Sequence, residues 1–238
     1  MTISPNPYLT KFVKREQLTE DTFSHYFEKP SGFRFSPGQY NRWRIEIENP
    51  DERGSSRPFT IAVSPSNNYL VITTKRGITS FKKKLFELTE GEQINFFGPL
   101  GTFVLDEENP SPKVFLAGGI GITPYYSMLT YAFEKKLAND ITLFASFSNK
   151  DEVIYFDELS KISKELPNIR ASYTLTKEEV SGFESGRINE EMISKYADIG
   201  KSVFYIVGPP GMVSAMEEIV SGMGISEERI KIENFTGY

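Results

Sequence analysis

The sequence contains no cysteine. That one absence excludes disulfides, a thiol nucleophile, thiolate zinc sites and a cysteine-ligated iron–sulfur cluster within the chain. Histidine is nearly as scarce. His25 is the single example, which argues against a Ser-His-Asp triad or a histidine-rich metal site, and no metal site is expected. A surplus of positive charge is missing too. The net charge of −5 argues against general binding to nucleic acid or to an anionic membrane. Met1 to Leu18 has no apolar core of signal-peptide length. No apolar run approaches the ~20 residues of a membrane span. A cytoplasmic protein is the expectation.

What is present suits a soluble globular chain: 39% hydrophobic and 25% charged residues over 238 positions, enough for one large or two ordinary domains. The two halves differ in texture. From Tyr8 to Leu105, short β-like runs alternate with breakers such as Pro30-Ser31-Gly32, Pro37-Gly38 and Asn49-Pro50-Asp51. About six strands at this spacing predict an antiparallel barrel, interrupted by one helix near Thr79–Leu88 with Phe81, Leu85 and Leu88 on a stripe. After Asn109-Pro110-Ser111-Pro112 the pattern becomes strand–helix alternation. Lys113–Ala117, Ile141–Ala145, Ile169–Leu175, Val203–Val207 and Arg229–Glu233 read as strands. Such alternation predicts a doubly wound parallel sheet. The expected domains are therefore residues 1–109, an antiparallel Greek-key β-barrel, and 110–238, an α/β domain.

Three stretches carry chemistry. Arg57-Pro58-Phe59-Thr60 puts a permanent cation, a flat ring and a hydroxyl within four residues of a strand. Alternation sends Arg57 and Phe59 to one face and Pro58 and Thr60 to the other. Arg57 can fork onto a diphosphate, Phe59 can lie against a planar heterocycle, and the Thr60 hydroxyl can meet a ring nitrogen. The second stretch, Gly118-Gly119-Ile120-Gly121-Ile122-Thr123-Pro124, follows a buried strand and opens a helix. Its glycines let backbone N–H groups approach an anion at a helix N-terminus, with Thr123 expected as N-cap and Pro124 at the first helical position. It does not match the usual dinucleotide glycine fingerprint. The third, Gly208-Pro209-Pro210-Gly211-Met212, repeats the arrangement after Val203–Val207. Two such turns on one sheet could flank a single crevice.

With these residues in order, the chain resembles the ferredoxin–NADP reductase superfamily over nearly its whole length. The family's Arg-x-aromatic-Ser/Thr appears as Arg57-Pro58-Phe59-Thr60, its second flavin segment as Gly77-Ile78-Thr79-Ser80, and its domain-closing turn as Gly98-Pro99-Leu100-Gly101-Thr102-Phe103. Gly118 to Pro124 and Gly208 to Met212 match its nicotinamide-domain signatures. The resemblance implies FAD on the barrel, NAD(P)H on the α/β domain, and hydride transfer between them. It implies that Arg57 pairs with the flavin diphosphate, with Pro58 beside it. Phe59 would pack on the isoalloxazine, and Thr60 would act near flavin N5. Thr74, Gly77, Thr79 and Ser80 would complete the flavin site. Gly119, Gly121, Thr123, Pro124, Gly208, Pro209 and Met212 would hold the dinucleotide. Ser148 and Lys150 fall where the 2′-position of the ribose is read, leaving NADH and NADPH both open. Glu233, Phe235 and Tyr238 fall where the family ends near the flavin, Glu233 and Phe235 being assigned with Thr60 to the chemistry itself.

The implied partners are a nicotinamide dinucleotide and an electron-acceptor protein such as ferredoxin, flavodoxin or an oxygenase component. Reduction of a small acceptor (ferric chelate, free flavin or quinone) and a regulatory flavin-binding subunit without turnover are the alternatives. Phe59 replaces the commoner Tyr, and Val207 stands where many members carry Cys. Trp43 between Arg42 and Arg44 is expected to pack in the barrel. His25 is expected to be structural or exposed. Lys82-Lys83-Lys84 is expected to be a solvated helix face.

Overall fold

The computed structural model describes residues 7–235. The chain divides into two compact units, Met1–Leu105 and Asp106–Tyr238. The first holds six strands: β1 Tyr8–Gln17, β2 Thr22–Glu28, β3 Tyr40–Arg44, β4 Ser56–Thr60, β5 Tyr69–Lys75 and β6 Gln93–Leu100. They pair antiparallel in the order β4-β3-β6-β1-β2-β5. Beyond β4 the Ala62 N–H donates to Val71 O at 3.0 Å, bringing that edge back to β5. The antiparallel barrel expected from the sequence is thus formed, and closure protects its edges.

Period-two patterning explains its core. On β3, Asn41 and Trp43 are buried while Arg42 and Arg44 are exposed. Trp43 lies 4.7 Å from the Phe27 ring and 4.9 Å from that of Phe96, so it is a packing residue. Helix α1, Ser80–Glu87, buries Phe81 and Leu85, four residues apart on one stripe.

The second unit alternates β7 Lys113–Gly118, α2 Ile122–Lys135, β8 Ile141–Phe147, α3 Phe156–Glu165, β9 Ile169–Leu175, β10 Glu184–Ser185, α4 Glu190–Tyr196, β11 Val203–Gly208, α5 Pro210–Gly222 and β12 Ile230–Asn234. All strands are parallel, in the order β10-β9-β8-β7-β11-β12. Every residue of β7 and β11 is buried, as apolar strands covered on both faces must be. Strand order reverses between β7 and β11, so the carboxyl ends of those two strands form the topological switch point where ligands of such sheets bind. The two-residue β10 escaped the sequence reading because it is too short to show alternation.

His25, on β2, is fully buried, its ring 4.8 Å from that of Phe86. Burial, with the nearby Arg15 charge adding to it, pushes its pKa down to about 3. It is therefore neutral in the fold but titrates near 6.5 when unfolded, so its contribution to stability is lost as pH falls below that value. His25→Leu should flatten the stability profile between pH 6.5 and 4, where His25 costs the wild type about 1.4 kcal/mol per pH unit. Urea midpoints across that range check it.

Candidate functional site

In the barrel, β4 presents Arg57 and Phe59 to the same ring. The Arg57 guanidinium lies 5.6 Å from the centre of Phe81, and the Phe59 ring 5.8 Å from it. Arg57 and Phe59 thus share a face as read from the sequence, while Pro58 is exposed and Thr60 buried. Arg57 is 8% exposed, and its charge is compensated locally. Nη1 donates to Arg53 O at 2.5 Å, Gly54 O at 2.9 Å and Ser56 O at 2.8 Å. Nη2 donates to Asp51 Oδ1 at 3.2 Å.

Asp51 was not singled out by the sequence, where Asn49-Pro50-Asp51 reads only as a turn. Its other oxygen accepts the Ser80 backbone N–H at 2.6 Å, and its own N–H donates to Ser80 Oγ at 3.0 Å. Ser80 is the first residue of α1, and Thr79, the N-cap, accepts from Lys82 N at 3.3 Å. Hydrogen bonding from Ser80 is the main cause holding the Asp51 carboxyl below the usual carboxylate range. Thus the Arg57 guanidinium and the Ser80 N–H converge on one carboxylate, Thr79 capping the helix beside them, and this is a place an anion can occupy.

The surrounding charge points the same way. Lys82 is half-buried rather than solvated, and burial first, then Arg53, lowers its pKa. Burial and Arg53 likewise push the Arg57 guanidinium down. Beside them, a cavity of 320 Å³ is lined by Arg15, Arg76, Gly77, Lys82 and Lys83 around Phe86 and Glu87. The Arg76 guanidinium lies over Phe86 at 5.1 Å and over Phe23 at 5.0 Å. Thr60 is buried, and its hydroxyl has no hydrogen-bond partner among the described residues. An unpaired buried hydroxyl is costly. A ligand ring nitrogen would satisfy it. Pro58 is exposed beside Arg57. Thr74 is buried on β5, its hydroxyl on Lys75 O at 3.3 Å. Gly77 packs against the Lys82 side chain, which a Cβ would meet at 2.7 Å.

In the second unit the two glycine turns interlock. A Cβ on Gly121 would lie 2.7 Å from Val207 O and 3.0 Å from Gly208 Cα, so only glycine lets these chains approach. Gly119 has φ +51°. Met212 lies over both Gly118 and Gly208, its sulfur within 3.3 Å of where either Cβ would be. The caps differ from expectation. A 3₁₀ turn, Gly119–Gly121, precedes α2, which starts at Ile122 with Gly121 as N-cap and no side-chain cap. Thr123 is therefore the second helical residue, not the N-cap, and Pro124 is the third. The Thr123 hydroxyl turns back to Ile120 O at 3.0 Å. Helix α5 instead begins with Pro210 after Pro209, the position proline favours.

Glu233 and Phe235 reach the same end of this sheet. Glu233 pairs with Val207, and the Phe235 N–H donates to Gly208 O at 3.1 Å. Glu233 Oε2 is buried without a hydrogen-bond partner among the described residues, and burial pushes its pKa up to about 7. Ser148 and Lys150 follow β8, beside the chain leaving β9. Lys177 N–H donates to Ser148 O at 3.0 Å, and Lys150 N–H donates to a Glu178 carboxylate oxygen. Tyr238 lies outside the described residues.

Comparison with known proteins bears on the two domains. The family model described as FAD-binding domain matches residues 9–123, and that described as oxidoreductase NAD-binding domain matches 115–218. The class is thus a flavin domain followed by a nicotinamide domain, and FAD and a nicotinamide dinucleotide are the cofactors. The chain belongs to the ferredoxin–NADP reductase superfamily. It is 25% identical over 236 residues to the propane 2-monooxygenase reductase component of Rhodococcus jostii, covering 95% of this chain and 63% of that protein. It is 28% identical to the glycine betaine monooxygenase reductase subunit of Pseudomonas aeruginosa, covering 96% and 64%, and 28% identical to a Bacillus subtilis flavohemoprotein, covering 94% and 58%. The chain thus spans about three-fifths of the length of the curated relatives it matches. Among solved structures, an Amycolatopsis cytochrome P450 reductase superposes with TM-score 0.85 at 20% identity, covering 98% of this chain and 70% of that one. A Neisseria gonorrhoeae ferredoxin NADP+ reductase with bound FAD and NADP gives 0.83 at 20% identity, covering 96% and 98%. These likenesses show the fold. No helix among the described residues is long and apolar enough to cross a membrane.

Two substitutions follow from the second unit. Gly121→Ala should cost about 1–3 kcal/mol through overpacking against backbone and weaken dinucleotide binding, measured by calorimetry. Glu233 is protonated in the fold up to about pH 7 but ionises near 4.5 when unfolded. Its effect on stability is absent below pH 4.5, grows unfavourable between 4.5 and 7 and is complete above 7. Glu233→Gln should therefore raise stability at pH 8 by up to ~3 kcal/mol and leave it nearly unchanged at pH 4, read from thermal or urea unfolding.

Proposed function

We propose that the chain is an FAD-dependent NAD(P)H oxidoreductase that delivers electrons to a protein acceptor. What carries this reading is one chain combining two features. An FAD-binding barrel places Arg57 and the first N–H of α1 on a single anion-sized spot, and an NAD-binding sheet has interlocked glycine turns at its switch point. Bound FAD would supply the redox chemistry, taking a hydride from reduced nicotinamide and releasing electrons to the acceptor. The protein supplies position and charge. Arg57 and the α1 N-terminus would neutralise the diphosphate, with Thr79 and Ser80 alongside. Phe59 would offer an apolar face to the ring system, and the unpaired Thr60 hydroxyl would hydrogen-bond a ring nitrogen. Gly119, Gly121, Gly208, Pro209 and Met212 would hold the dinucleotide by backbone approach, with Thr123 and Pro124 shaping the helix start. Ser148 and Lys150 would lie near its ribose. Glu233 would keep a proton on its carboxyl near neutral pH, with Phe235 and Tyr238 following it in the chain.

The relatives that are reductase components of monooxygenases support an oxygenase component, ferredoxin or flavodoxin as the acceptor. A cytoplasmic location belongs to the same reading, as do domains bounded at 109 and 110.

Purified protein should be yellow and release FAD on denaturation. NADH or NADPH should bleach it anaerobically. A protein that binds flavin but keeps its colour with both coenzymes would be a regulatory subunit instead. Arg57→Ala should weaken FAD at least tenfold, the loss of ~1.4 kcal/mol or more expected for a charge-assisted contact, and leave dinucleotide affinity within twofold. Equal losses for both ligands would refute the assignment.

A further inference from the structure

We infer that Asp51 is a built-in competitor for the flavin diphosphate, occupying its cradle in the flavin-free chain and leaving when the cofactor binds. The inference rests on the reading above, in which Arg57 and the start of α1 receive the diphosphate. Both of those groups are held by the Asp51 carboxylate. Oδ2 takes the Ser80 N–H at 2.6 Å, and Oδ1 takes Arg57 Nη2 at 3.2 Å and the Arg53 N–H at 3.0 Å. A backbone N–H has one proton to give, so a phosphate oxygen and the carboxylate cannot both have a short bond to Ser80. Nη1 of Arg57 is committed to three carbonyl oxygens. Nη2 spends one of its protons on Asp51, so a ligand oxygen that took that proton would displace the carboxylate.

Three further observations make displacement feasible. The Asp51 side chain remains 33% exposed, against 10% for that of Arg57. The carboxylate can therefore move into water, while the guanidinium stays in place. Asp51 sits in the connection between β3 and β4, where Gly54 has φ +71° and its N–H closes a turn onto Asp51 O at 2.8 Å. Rotation of the Asp51 side chain alone breaks no strand pairing and leaves the Arg53 and Gly54 carbonyls on Arg57. Finally, after burial, the Arg53 charge lowers the pKa of Arg57 and of Lys82, and Arg57 adds to the effect on Lys82. One carboxylate offsets less of that repulsion than a diphosphate carrying two charges.

A ligand that enters the cradle must return more than Asp51 withdraws; a phosphate group carrying up to about two charges does so, while a ligand without phosphate leaves Asp51 in place.

The test is a fluorescence titration of flavin-free, full-length wild type, Asp51→Asn and Asp51→Ala with FAD, FMN and riboflavin. The inference expects the FAD dissociation constant to fall about tenfold or more in at least one variant. FMN should gain at least as much, and riboflavin should change less than twofold. Circular dichroism and thermal midpoints establish that the variants are folded. FAD affinity unchanged or weakened in a folded variant overturns the inference, because Asp51 would then be supporting the arginine. The wild type provides a check that needs no variant. On FAD binding the Asp51 amide, now bonded to Ser80 Oγ, should exchange with deuterium faster, and slower exchange overturns the inference. Absence of flavin binding in all three proteins overturns the flavoenzyme reading and this inference together. Flavin binding insensitive to Asp51 overturns this inference alone.

Discussion

The barrel domain is arranged around the cost of burying one guanidinium. Arg57 is nearly sealed against Phe81, in surroundings where an unpaired charge would be costly. Three carbonyls from residues 53, 54 and 56 and one carboxylate answer that charge. Answering it determines the path of the chain between β3 and β4. It also draws Asp51 onto the first N–H of α1, where the partial charge of the helix end favours an anion. A cation kept in place by its own backbone, with an anion that can leave, is a site prepared for exchange.

The second domain meets a different constraint. In a parallel sheet every strand's carboxyl end faces one way, so loops that leave β7 and β11 must share space at the switch point. Gly121 resolves the crowding by having no side chain to press on Val207 and Gly208. Backbone groups are left close to the sheet's end, where a dinucleotide can be held with little help from charged side chains. Glu233 adds a carboxyl kept dry enough to retain its proton near neutrality. The sheet's end therefore carries less negative charge than its composition suggests.

Much of this was legible in residues. The breakers and alternation before Leu105 announced an antiparallel barrel, and continuous apolar runs after Pro112 announced buried parallel strands. Arg57 and Phe59 were expected on one face, and they meet on Phe81. Other features were not legible. Thr123 looked like an N-cap because Thr-Pro commonly opens helices. The preceding Gly119–Gly121 had already begun to wind, and its hydroxyl turned inward to Ile120. Lys82 looked solvated because helical spacing does not reveal what stands opposite. Asp51 looked like a turn residue because its partner Ser80 is 29 positions away.

The sequence alone determined what depends on local spacing: the two domains, the strand and helix periods, the glycine turns and the four-residue cofactor motif. Those follow from backbone geometry, which repeats over a few residues. Tertiary structure alone decided which charges face which, that burial keeps His25 neutral and raises the pKa of Glu233, and that Asp51 holds both Arg57 and the first N–H of α1. Each of these depends on burial or on partners brought together across long separations, and neither can be counted along a chain.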